Sequence, residues 1–416
     1  MIPLEEATAV VLAGCEPLPP RTIATADAAG RVLAADVVAR EDVPAFANTA
    51  MDGYAVRAAD VAGAPVTLPV VAEVAAGHPA RRPLAPGEAM RIFTGAPIPE
   101  GADAVVMVEW TERRDGDGAG GAVEIRQPVD TGNFIRWPGE DLRAGQTLFS
   151  AGDELTPAHL GVLASLGIAE VVAHPRPRVG VLSTGDELVE GPAPLRSGQI
   201  RDSNRPTLLS LVTQSGFEPV DLGIARDDEA AITAAVERGL ATCDAVLSSG
   251  GVSMGDTDLV KVVLDRMGDM RWMQVAIRPA KPLAFGLLGD GSRRVPVFGL
   301  PGNPVSSLVS FELFARPALR CAAGHPTERL HRPRLSAVAD EALSRRPDGK
   351  THFARVRATV DHDGVLHVRS AGGQGSHQLT AAAHADGLAV LPDGDGAIAG
   401  DRVQVILLGD PPALGT

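Results

Sequence analysis

Several residue types that mark particular protein classes are scarce in this sequence. The chain has 416 residues but only three cysteines, Cys15, Cys243 and Cys321, which lie far apart and match no zinc-ligand or disulfide spacing. A disulfide-stapled secreted domain is therefore disfavoured, and a reduced cytosolic setting fits. We interpret the three cysteines as packing residues.

Positive charge is also scarce. Lysine and arginine together number 38, against 52 aspartates and glutamates, which gives a formal net charge of -14. We therefore expect neither nucleic acid nor an anionic membrane as a general partner. A local basic pocket is still compatible with this balance.

Long apolar runs and a basic N-terminus are missing too. No run approaches membrane-spanning length. The chain begins MIPLEEATAVVLAG, with Glu5 and Glu6 where a signal peptide has basic residues. Leu4, Ala7 and Val11 recur at helical spacing and predict an amphipathic helix. We expect a cytoplasmic protein without a membrane segment.

Apolar residues are plentiful, at 45% of the chain, and the length suggests two to four domains. Residues 1 to 42 predict a helix followed by a hairpin-like segment. Residues 43 to 140 predict short strands, with a hairpin tip at residues 113 to 121. Residues 173 to 325 alternate strands with helices, which predicts a mainly parallel sheet covered on both faces. Residues 329 to 411 return to five short strands and predict a small all-β module.

Three predicted strands of the α/β zone end in loops of small residues. The loops are STGDEL, SSGGVSMGDTD and GLPGNPVSS, at residues 183 to 188, 248 to 258 and 299 to 307. Ligands of open parallel sheets bind beyond the carboxyl ends of the strands. A single glycine turn is weak evidence, but three at one edge favour a site for an anionic ligand.

The second loop carries acids that would repel a phosphate. Asp256 and Asp258, with Asp186 or Glu187, could hold a magnesium ion between carboxylates and phosphate oxygens. The alternative is structural: Asp256 or Thr257 caps the following helix, and Asp258 favours its first turn. A second group of candidate residues is IRPAKP at residues 277 to 282, which overlaps the end of a strand predicted over residues 273 to 279. Its Arg278 and Lys281 suit an oxyanion, or are ordinary surface charge.

Three further motifs lie earlier in the chain. They are NTAMDGYAV with Asp52, RIFTGAPIPEGADAVVMVE with Thr94, and GNFIRWPGEDL with Arg136, Glu140 and Asp141. Composition alone marks them as structural loops. Their distance in sequence from the α/β zone suggests a second wall of the site or a subunit interface.

Together the motifs resemble one family. Its members, the MoeA-type molybdopterin molybdenumtransferases and the E domain of gephyrin, show the same order of NTAMDGYAV, IFTGAPIPEGADAVVMVE, IRWPGEDL, STGDEL, SSGGVSMGDTD, RPAKPLAFG and GLPGNPVSS. The similarity runs from about residue 40 to the C-terminus and includes QGSH at residues 374 to 377. It implies an enzyme that inserts molybdate into adenylylated molybdopterin. Hydrolysis that depends on Mg²⁺ would release AMP and molybdenum cofactor.

The resemblance also implies roles for individual residues. The implied catalytic residues are Asp258, Asp256, Ser253, Lys281, Asp52 and Glu187, of which Asp258, Asp256 and Glu187 would hold the metal. The implied substrate-binding residues are Thr94, Asp141, Gly250, Gly251, Arg278, Pro282, Pro301, Gly302, Asn303, Pro304, Arg355 and Ser376. Within these sets, Arg278, Lys281 and Pro282 would line a molybdate pocket that Arg355 and Ser376 complete. From the extended domain, Asp52, Thr94 and Asp141 would reach the same cleft across a dimer interface.

The implied fold is a multidomain α/β plus β architecture of four parts. They are an N-terminal helix and linker subdomain at 1–42 and 141–172, an extended β-rich domain at 43–140, a molybdopterin-binding α/β domain with a mainly parallel sheet at 173–327, and a small C-terminal β-barrel at 328–411. The family implies a homodimer. The implied partners are the molybdopterin adenylyltransferase and the apo-molybdoenzymes or their chaperones.

Two departures from the family pattern bear on the oxyanion pocket. The family usually has KPGKP where this chain has RPAKP, so Arg278 replaces a lysine and Ala280 a glycine. Three rival functions are an adenylyltransferase, a scaffold that binds the pterin weakly, and a tungsten-specific version of the enzyme. The AMDGYA and GED motifs and the C-terminal strands argue against the first. The second rival, the scaffold, predicts an appended partner-binding domain or a long linker, and neither is visible in the sequence. The third, the tungsten-specific enzyme, stays open, because nothing in the sequence separates molybdate from tungstate.

Overall fold

We analysed a computed structural model, which describes residues 1–114, 120–251, 259–289 and 293–409. The chain divides into two compact units. Unit 1 comprises residues 1–34, 151–157 and 170–416, and unit 2 comprises residues 35–150 and 158–169. The four-part division stays a prediction.

Helices begin where the sequence supplies start signals. The longest helix follows Asp228, whose carboxylate accepts a hydrogen bond from the Ala231 N–H at 2.8 Å. No helix in the described ranges is long and apolar enough to cross a membrane. The α-helices of these ranges are α1 Leu4–Ala13, α2 Ala58–Val61, α3 Pro157–Ser165, α4 Asn204–Gln214, α5 Glu229–Thr242, α6 Leu259–Met267, α7 Pro304–Ser310, α8 Arg316–Ala322 and α9 Leu379–Ala383. A π-helical turn, Phe311–Ala315, joins α7 to α8.

Most strands are short. In chain order the strands of the described ranges are β1 Arg21–Ala24, β2 Val37–Val38, β3 Asn48–Thr49, β4 Gly53–Val56, β5 Val66–Val74, β6 Ala89–Ile92, β7 Ala104–Met107, β8 Thr111–Arg114, β9 Ala122–Ile125, β10 Ile135–Arg136, β11 Thr147–Phe149, β12 Glu170–Ala173, β13 Arg178–Thr184, β14 Leu188–Val189, β15 Ile200–Arg201, β16 Glu218–Ala225, β17 Ala245–Ser249, β18 Gly268–Gln274, β19 Ile277–Arg278, β20 Pro282–Leu288, β21 Val295–Leu300, β22 Arg334–Ala339, β23 Leu343–Ser344, β24 Thr351–Val360, β25 Leu366–Ser370, β26 Gly387–Leu391, β27 Gly396–Ala397 and β28 Arg402–Leu407.

The centre of unit 1 is a six-stranded sheet in the order β16-β13-β17-β21-β20-β18. The first four strands are parallel, and β20 and β18 are antiparallel additions. Both faces are buried: Val181 and Leu247 pack with α1, α4, α7 and α8, whereas Leu182 and Val246 pack with α5 and α6. Burial on both faces explains why these strands are nearly continuous apolar runs. The predicted mainly parallel sheet is confirmed.

The C-terminal strands close into a five-stranded barrel. The pairings run from β24 to β25, β22, β28, β26 and back to β24, so the sheet has no open edge. Small and β-branched side chains such as Ala337, Val356 and Val405 fill its interior. All five predicted strands of this region are present.

Unit 2 contains a six-stranded sheet in the order β7-β4-β6-β5-β9-β8. Strands β8 and β9 form the predicted hairpin, with Arg114 opposite Ala122. Its core holds Tyr54, Val56, Val106 and other apolar side chains. Two-stranded pairs complete the unit, among them β10 with β3, which places Arg136 opposite Asn48.

Two of the predicted local elements are wrong. Residues 14–42, all of which the structure describes, form no hairpin after α1, because β1 pairs with β12 and β2 with β11, partners from distant parts of the sequence. The strand predicted over residues 273 to 279 is divided between two sheets. Strand β18 ends at Gln274, and β19 leaves the α/β sheet to pair with barrel strand β24. The Val275 N–H donates to the Lys281 carbonyl at 2.7 Å, which closes the intervening loop.

Candidate active site

The three glycine-containing loops follow neighbouring strands of unit 1. Strands β13, β17 and β21 are adjacent and parallel, with Ser183 opposite Ser249 and Ser249 opposite Leu300. Their carboxyl ends therefore lie at one edge of the sheet, where ligands of such folds bind. The Gly250 N–H donates to the Leu300 carbonyl at 3.1 Å and ties the second loop to the third.

Backbone atoms of the loops approach one another too closely for side chains. A Cβ added at Gly250 would lie 2.9 Å from the Thr184 carbonyl oxygen, and Gly250 and Gly251 have φ values of 101° and 66°. Gly302 is nearby, since a Cβ there would lie 3.8 Å from the Gly250 Cα. Gly250 therefore needs glycine for close approach, and Gly250 and Gly251 need it for the left-handed backbone, whereas Gly302 has room for a Cβ.

Asn204, which the sequence analysis missed, joins two of the loops. Its side-chain N–H₂ donates to the Ser249 hydroxyl and to the Gly302 carbonyl, both at 2.7 Å. Asp202 fixes the start of α4 by accepting from the backbone N–H groups of Asn204 and Arg205, each at 3.1 Å. The motif DSN at residues 202 to 204 was an available signal, because Asp, Ser and Asn cap helices and hydrogen-bond nearby backbone.

Acidic residues of the first loop stand at the same edge. Asp186 and Glu187 are both exposed. The Glu187 carboxylate folds back over Gly185, where an added Cβ would collide with it. Asp186 accepts a hydrogen bond from the Asp227 N–H at 3.3 Å. The predicted second-loop residues Ser253, Asp256 and Asp258 lie outside the described residues.

The segment IRPAKP connects the α/β sheet to the barrel. Arg278 in β19 is exposed and lies opposite His352 of β24. Ala280 is buried and has a φ of 74°, the left-handed region that favours glycine. Lys281 is exposed, and Pro282 begins β20 in a half-buried position.

Arg278 lies at a cleft of about 530 Å³, called here the Arg278 cleft. Five basic side chains line it, and no carboxylate does among the residues that the structure describes: the five are Arg278, Arg345, Arg346, His352 and Arg355. Ser370 and Gln374 add polar groups. Burial, Arg345 and Arg278 lower the pKa of His352, although its hydrogen bond with Asp348 works in the other direction. The cleft is therefore suited to an oxyanion.

Arg355 holds the loop of the QGSH motif. It is 1% exposed, and its Nη2 donates to the Gly373 and Gly375 carbonyls at 2.8 and 3.1 Å. Burial lowers its pKa to about 10, so the guanidinium stays charged near neutral pH. The Ser376 carbonyl accepts from the Val305 N–H at 3.1 Å, next to Pro304. The barrel loop and the third glycine loop therefore meet.

Arg345 is a second residue that the sequence analysis missed. One of its terminal nitrogens donates to the carbonyls of Lys350, Leu391 and Pro392 at 2.6, 3.1 and 2.9 Å. The other donates to the carboxylates of Asp348 and Asp393 at 2.9 and 2.6 Å. The side chain is thus rigidly placed. The basic run SRRPDGK was an available signal, but it is typical of surface loops as well.

Unit 2 presents a separate polar pair. The Asp52 carboxylate accepts from both the backbone N–H and the hydroxyl of Thr94, at 2.7 and 2.8 Å. These two hydrogen bonds, with a smaller contribution from Arg91, hold the pKa of Asp52 below its usual value. Asp141 is exposed, and its N–H donates to the Val43 carbonyl at 3.0 Å. The predicted Asp52 and Thr94 are therefore in contact.

Comparison with known proteins shows the family. The chain is 42% identical over 399 residues to molybdopterin molybdenumtransferase 2 of Mycobacterium tuberculosis, with 94% of each chain covered. The chain belongs to the molybdopterin molybdenumtransferase family. The family member from Haemophilus influenzae is 40% identical over 380 residues, which cover 91% of each chain.

Family models and a solved structure agree with this assignment. Three models match in order: the MoeA N-terminal region (domain I and II) at residues 2–167, a probable molybdopterin binding domain at 180–321, and the MoeA C-terminal region (domain IV) at 337–408. The crystal structure of the molybdopterin biosynthesis moeA protein from Pyrococcus horikoshii covers 98% of this chain and 100% of that one, at 29% identity and a TM-score of 0.80. The predicted family, fold class and enzyme class, a transferase of molybdenum cofactor biosynthesis, are confirmed.

Proposed function

We propose that this molybdopterin molybdenumtransferase inserts molybdate into adenylylated molybdopterin, and that hydrolysis dependent on Mg²⁺ releases AMP and molybdenum cofactor. The observation that carries the proposal is the Arg278 cleft, which is lined by four arginines. Arg345 is paired with Asp348 and Asp393. The other three, Arg278, Arg346 and Arg355, form no ion pair with any residue that the structure describes. Molybdate is a dianion, and guanidinium groups held by the fold bind oxyanions strongly.

The substrate would bind between the cleft and the glycine loops. Arg278 would hold molybdate together with Lys281, which lies three residues further on in the same loop, beside Pro282. The backbones of Gly250, Gly251 and the GLPGNP loop would receive the pterin and phosphate end, because glycine lets a ligand approach the chain closely. The contact of Ser376 with the start of α7 supports one continuous site in unit 1. Holding both reactants there would make insertion effectively intramolecular.

Of the three carboxylates predicted to hold the metal, Glu187 lies in the described ranges, and it fits a divalent cation. Glu187 is exposed at the strand edge, forms no ion pair in the described ranges, and offers the oxygen ligands that Mg²⁺ prefers. It would hold the ion with Asp256 and Asp258. The ion, when bound, would supply screening between carboxylates and phosphate oxygens. Ser253 would contact the phosphoanhydride.

The proposed assembly is a cytoplasmic homodimer. Asp52, Thr94 and Asp141 would serve the site of the partner subunit, and the two hydrogen bonds between Asp52 and Thr94 would keep that carboxylate oriented and ionised. The molybdopterin adenylyltransferase would supply the substrate, and apo-molybdoenzymes or their chaperones would receive the product. Sedimentation analysis would test the dimer, since a monomer at working concentration contradicts it.

The deciding experiment measures AMP release from adenylylated molybdopterin with and without molybdate and Mg²⁺. We expect release to require Mg²⁺ and to be coupled to molybdate insertion. Asp258→Ala should slow release, and the matched control Asp60→Ala, which changes an acid of unit 2, should not. Binding of the pterin without any release would instead favour the scaffold function.

A further inference from the structure

A second basic cleft lies at the opposite edge of the α/β sheet. It has a volume of about 870 Å³ and is lined by Arg21, Arg31, Arg176, Arg178, Arg293 and Arg294. We call it the amino-edge cleft, because Arg178 begins β13 and Val295 begins β21. A strand of seven residues separates the two edges by about 20 Å, so this cleft is distinct from the Arg278 cleft.

Two acids line the amino-edge cleft in the described ranges, and both are already engaged. Glu218 pairs with the Arg178 Nε at 3.0 Å. Asp244 pairs with Arg293 at 3.4 Å and accepts from the Arg178 N–H at 2.8 Å. Two of the six arginines are thereby compensated.

The remaining arginines, Arg21, Arg31, Arg176 and Arg294, form no ion pair with any residue that the structure describes. Backbone carbonyls hold three of them. The Arg31 Nε donates to the Asp27 carbonyl at 3.2 Å, and the Arg176 Nη2 donates to the Ala29 carbonyl at 2.9 Å. The Arg294 Nη2 donates to the Leu287 carbonyl at 3.5 Å. Such bonds fix the orientation of a guanidinium without neutralising its charge. Burial, Arg176 and Arg21 lower the pKa of Arg31, which Asp27 and Glu218 partly offset, so these cations lie close together.

The cleft therefore concentrates unneutralised positive charge in a protein whose net charge is -14. Like charges held together raise the free energy of the folded state, and an anion bound among them would lower it. Planar guanidinium forks match phosphate oxygens in a bidentate manner. The volume lies within the range of roughly 300–1,000 Å³ that is usual for small-molecule sites.

We propose that the amino-edge cleft binds a small polyphosphate, either free or as part of a nucleotide. Several negative charges are needed, because four arginines without acidic partners line the cleft. This site is independent of the proposed catalytic function, since it shares no lining residue with the Arg278 cleft.

The test uses calorimetric titration of the full chain with inorganic pyrophosphate and, separately, with ATP. Arg278→Ala serves as the background in both titrations, so that binding at the Arg278 cleft is weakened. Saturable binding at low salt is expected, and it should weaken as salt screens the charges. Equal affinities would indicate a site for free polyphosphate, and tighter ATP binding would indicate a nucleotide site.

Variants locate the binding. Arg21→Ala and Arg176→Ala should each weaken it by about tenfold, as expected for the loss of one charge-assisted contact. Arg21 makes no side-chain hydrogen bond in the described ranges, so its variant should fold normally, which thermal unfolding checks. The control Arg57→Ala, in unit 2, should leave the affinity unchanged. Absence of saturable binding of either probe, or equal affinity in all three variants, would overturn the proposal.

Discussion

Ala280 occupies a backbone conformation that alanine adopts reluctantly. Its φ is 74°, and its side chain is 2% exposed, so the surrounding packing enforces the conformation. The left-handed region costs an L-residue roughly 1–2 kcal/mol, whereas glycine enters it freely. Glycine also makes the unfolded chain more flexible and removes a buried methyl group from the core. These two losses offset the relief, so we expect Ala280→Gly to leave the free energy of unfolding within about 0.5 kcal/mol of the wild-type value.

Denaturant unfolding measures this change, and Ala284→Gly is the matched control. Ala284 is fully buried in β20, with an ordinary strand neighbour on each side. Glycine there should lower the free energy of unfolding by about 1 kcal/mol or more. Equal destabilisation by both variants would show that the loop bears no strain at Ala280.

Arg278 is one of two exposed arginines that line the Arg278 cleft, and Arg346 is the other. The loss of Arg278 would remove charge-assisted hydrogen bonds worth about 1.5–3 kcal/mol, so Arg278→Ala should raise the molybdate concentration for half-maximal insertion by roughly 10- to 100-fold. Arg278→Lys keeps the charge and should recover part of the loss. Insertion assays over a molybdate series measure both, with Arg57→Ala as control. A Lys281→Ala enzyme with normal molybdate dependence would remove Lys281 from the proposed pocket.

At the scale of elements, the strand ends of β13, β17 and β21 form the site only because glycine permits their approach. Gly250→Ala would place a Cβ 2.9 Å from the Thr184 carbonyl at a φ of 101°. We expect it to lower the free energy of unfolding by about 2 kcal/mol or more. Gly302→Ala is the matched control, because its nearest contact would be 3.8 Å.

Thermal or denaturant unfolding distinguishes the two glycine variants. The Gly302 variant should keep the wild-type free energy of unfolding within about 0.5 kcal/mol. A Gly250 variant of equal stability would mean that the second loop can move away from Thr184.

The elements also show how far local sequence signals reach. Apolar runs ending in glycine turns predicted β13, β17 and β21 and their shared edge, because a parallel sheet follows from alternating strands and helices. The pairings of β1 with β12 and of β19 with β24 escaped prediction. Such short strands carry almost no pattern of their own, and their partners are chosen by packing between distant segments.

For the whole molecule, His325 links stability to pH. The ring is buried, and its Nδ1 accepts from the Arg320 Nη2 at 3.1 Å, which requires the neutral form. Burial, Arg320, Arg316 and Arg329 lower its pKa to about 3. The unfolded chain, with a histidine pKa of about 6.5, binds more protons than the folded chain between these two values. The stabilisation from the neutral His325 ring is therefore complete above about pH 6.5 and is lost as pH falls towards 3.

We expect His325 alone to remove about 2 kcal/mol of unfolding free energy between pH 7 and 5. His325→Asn keeps an acceptor near the position of Nδ1 but cannot titrate, so its unfolding free energy should fall less over that range. His362→Gln, which changes a histidine whose side chain is 89% exposed, is the control and should behave as wild type. Denaturant titrations at several pH values measure the slopes, and identical slopes for all three proteins would contradict the assignment.

The sequence by itself determined the family and the fold class, and through the family resemblance it named the residues predicted for the site. Those features depend on local signals: glycine turns after apolar strands, two cations in the RPAKP loop, and acids beside small residues. The tertiary structure alone decided that Arg345 and His352 line the same cleft as Arg278. It also decided that Arg355 binds the carbonyls of the QGSH loop and that Asn204 joins two of the glycine loops. It also gathered six arginines into the amino-edge cleft. These groupings arise from pairings between segments far apart in the chain, and side-chain type at one position carries no information about which distant strand will lie opposite it.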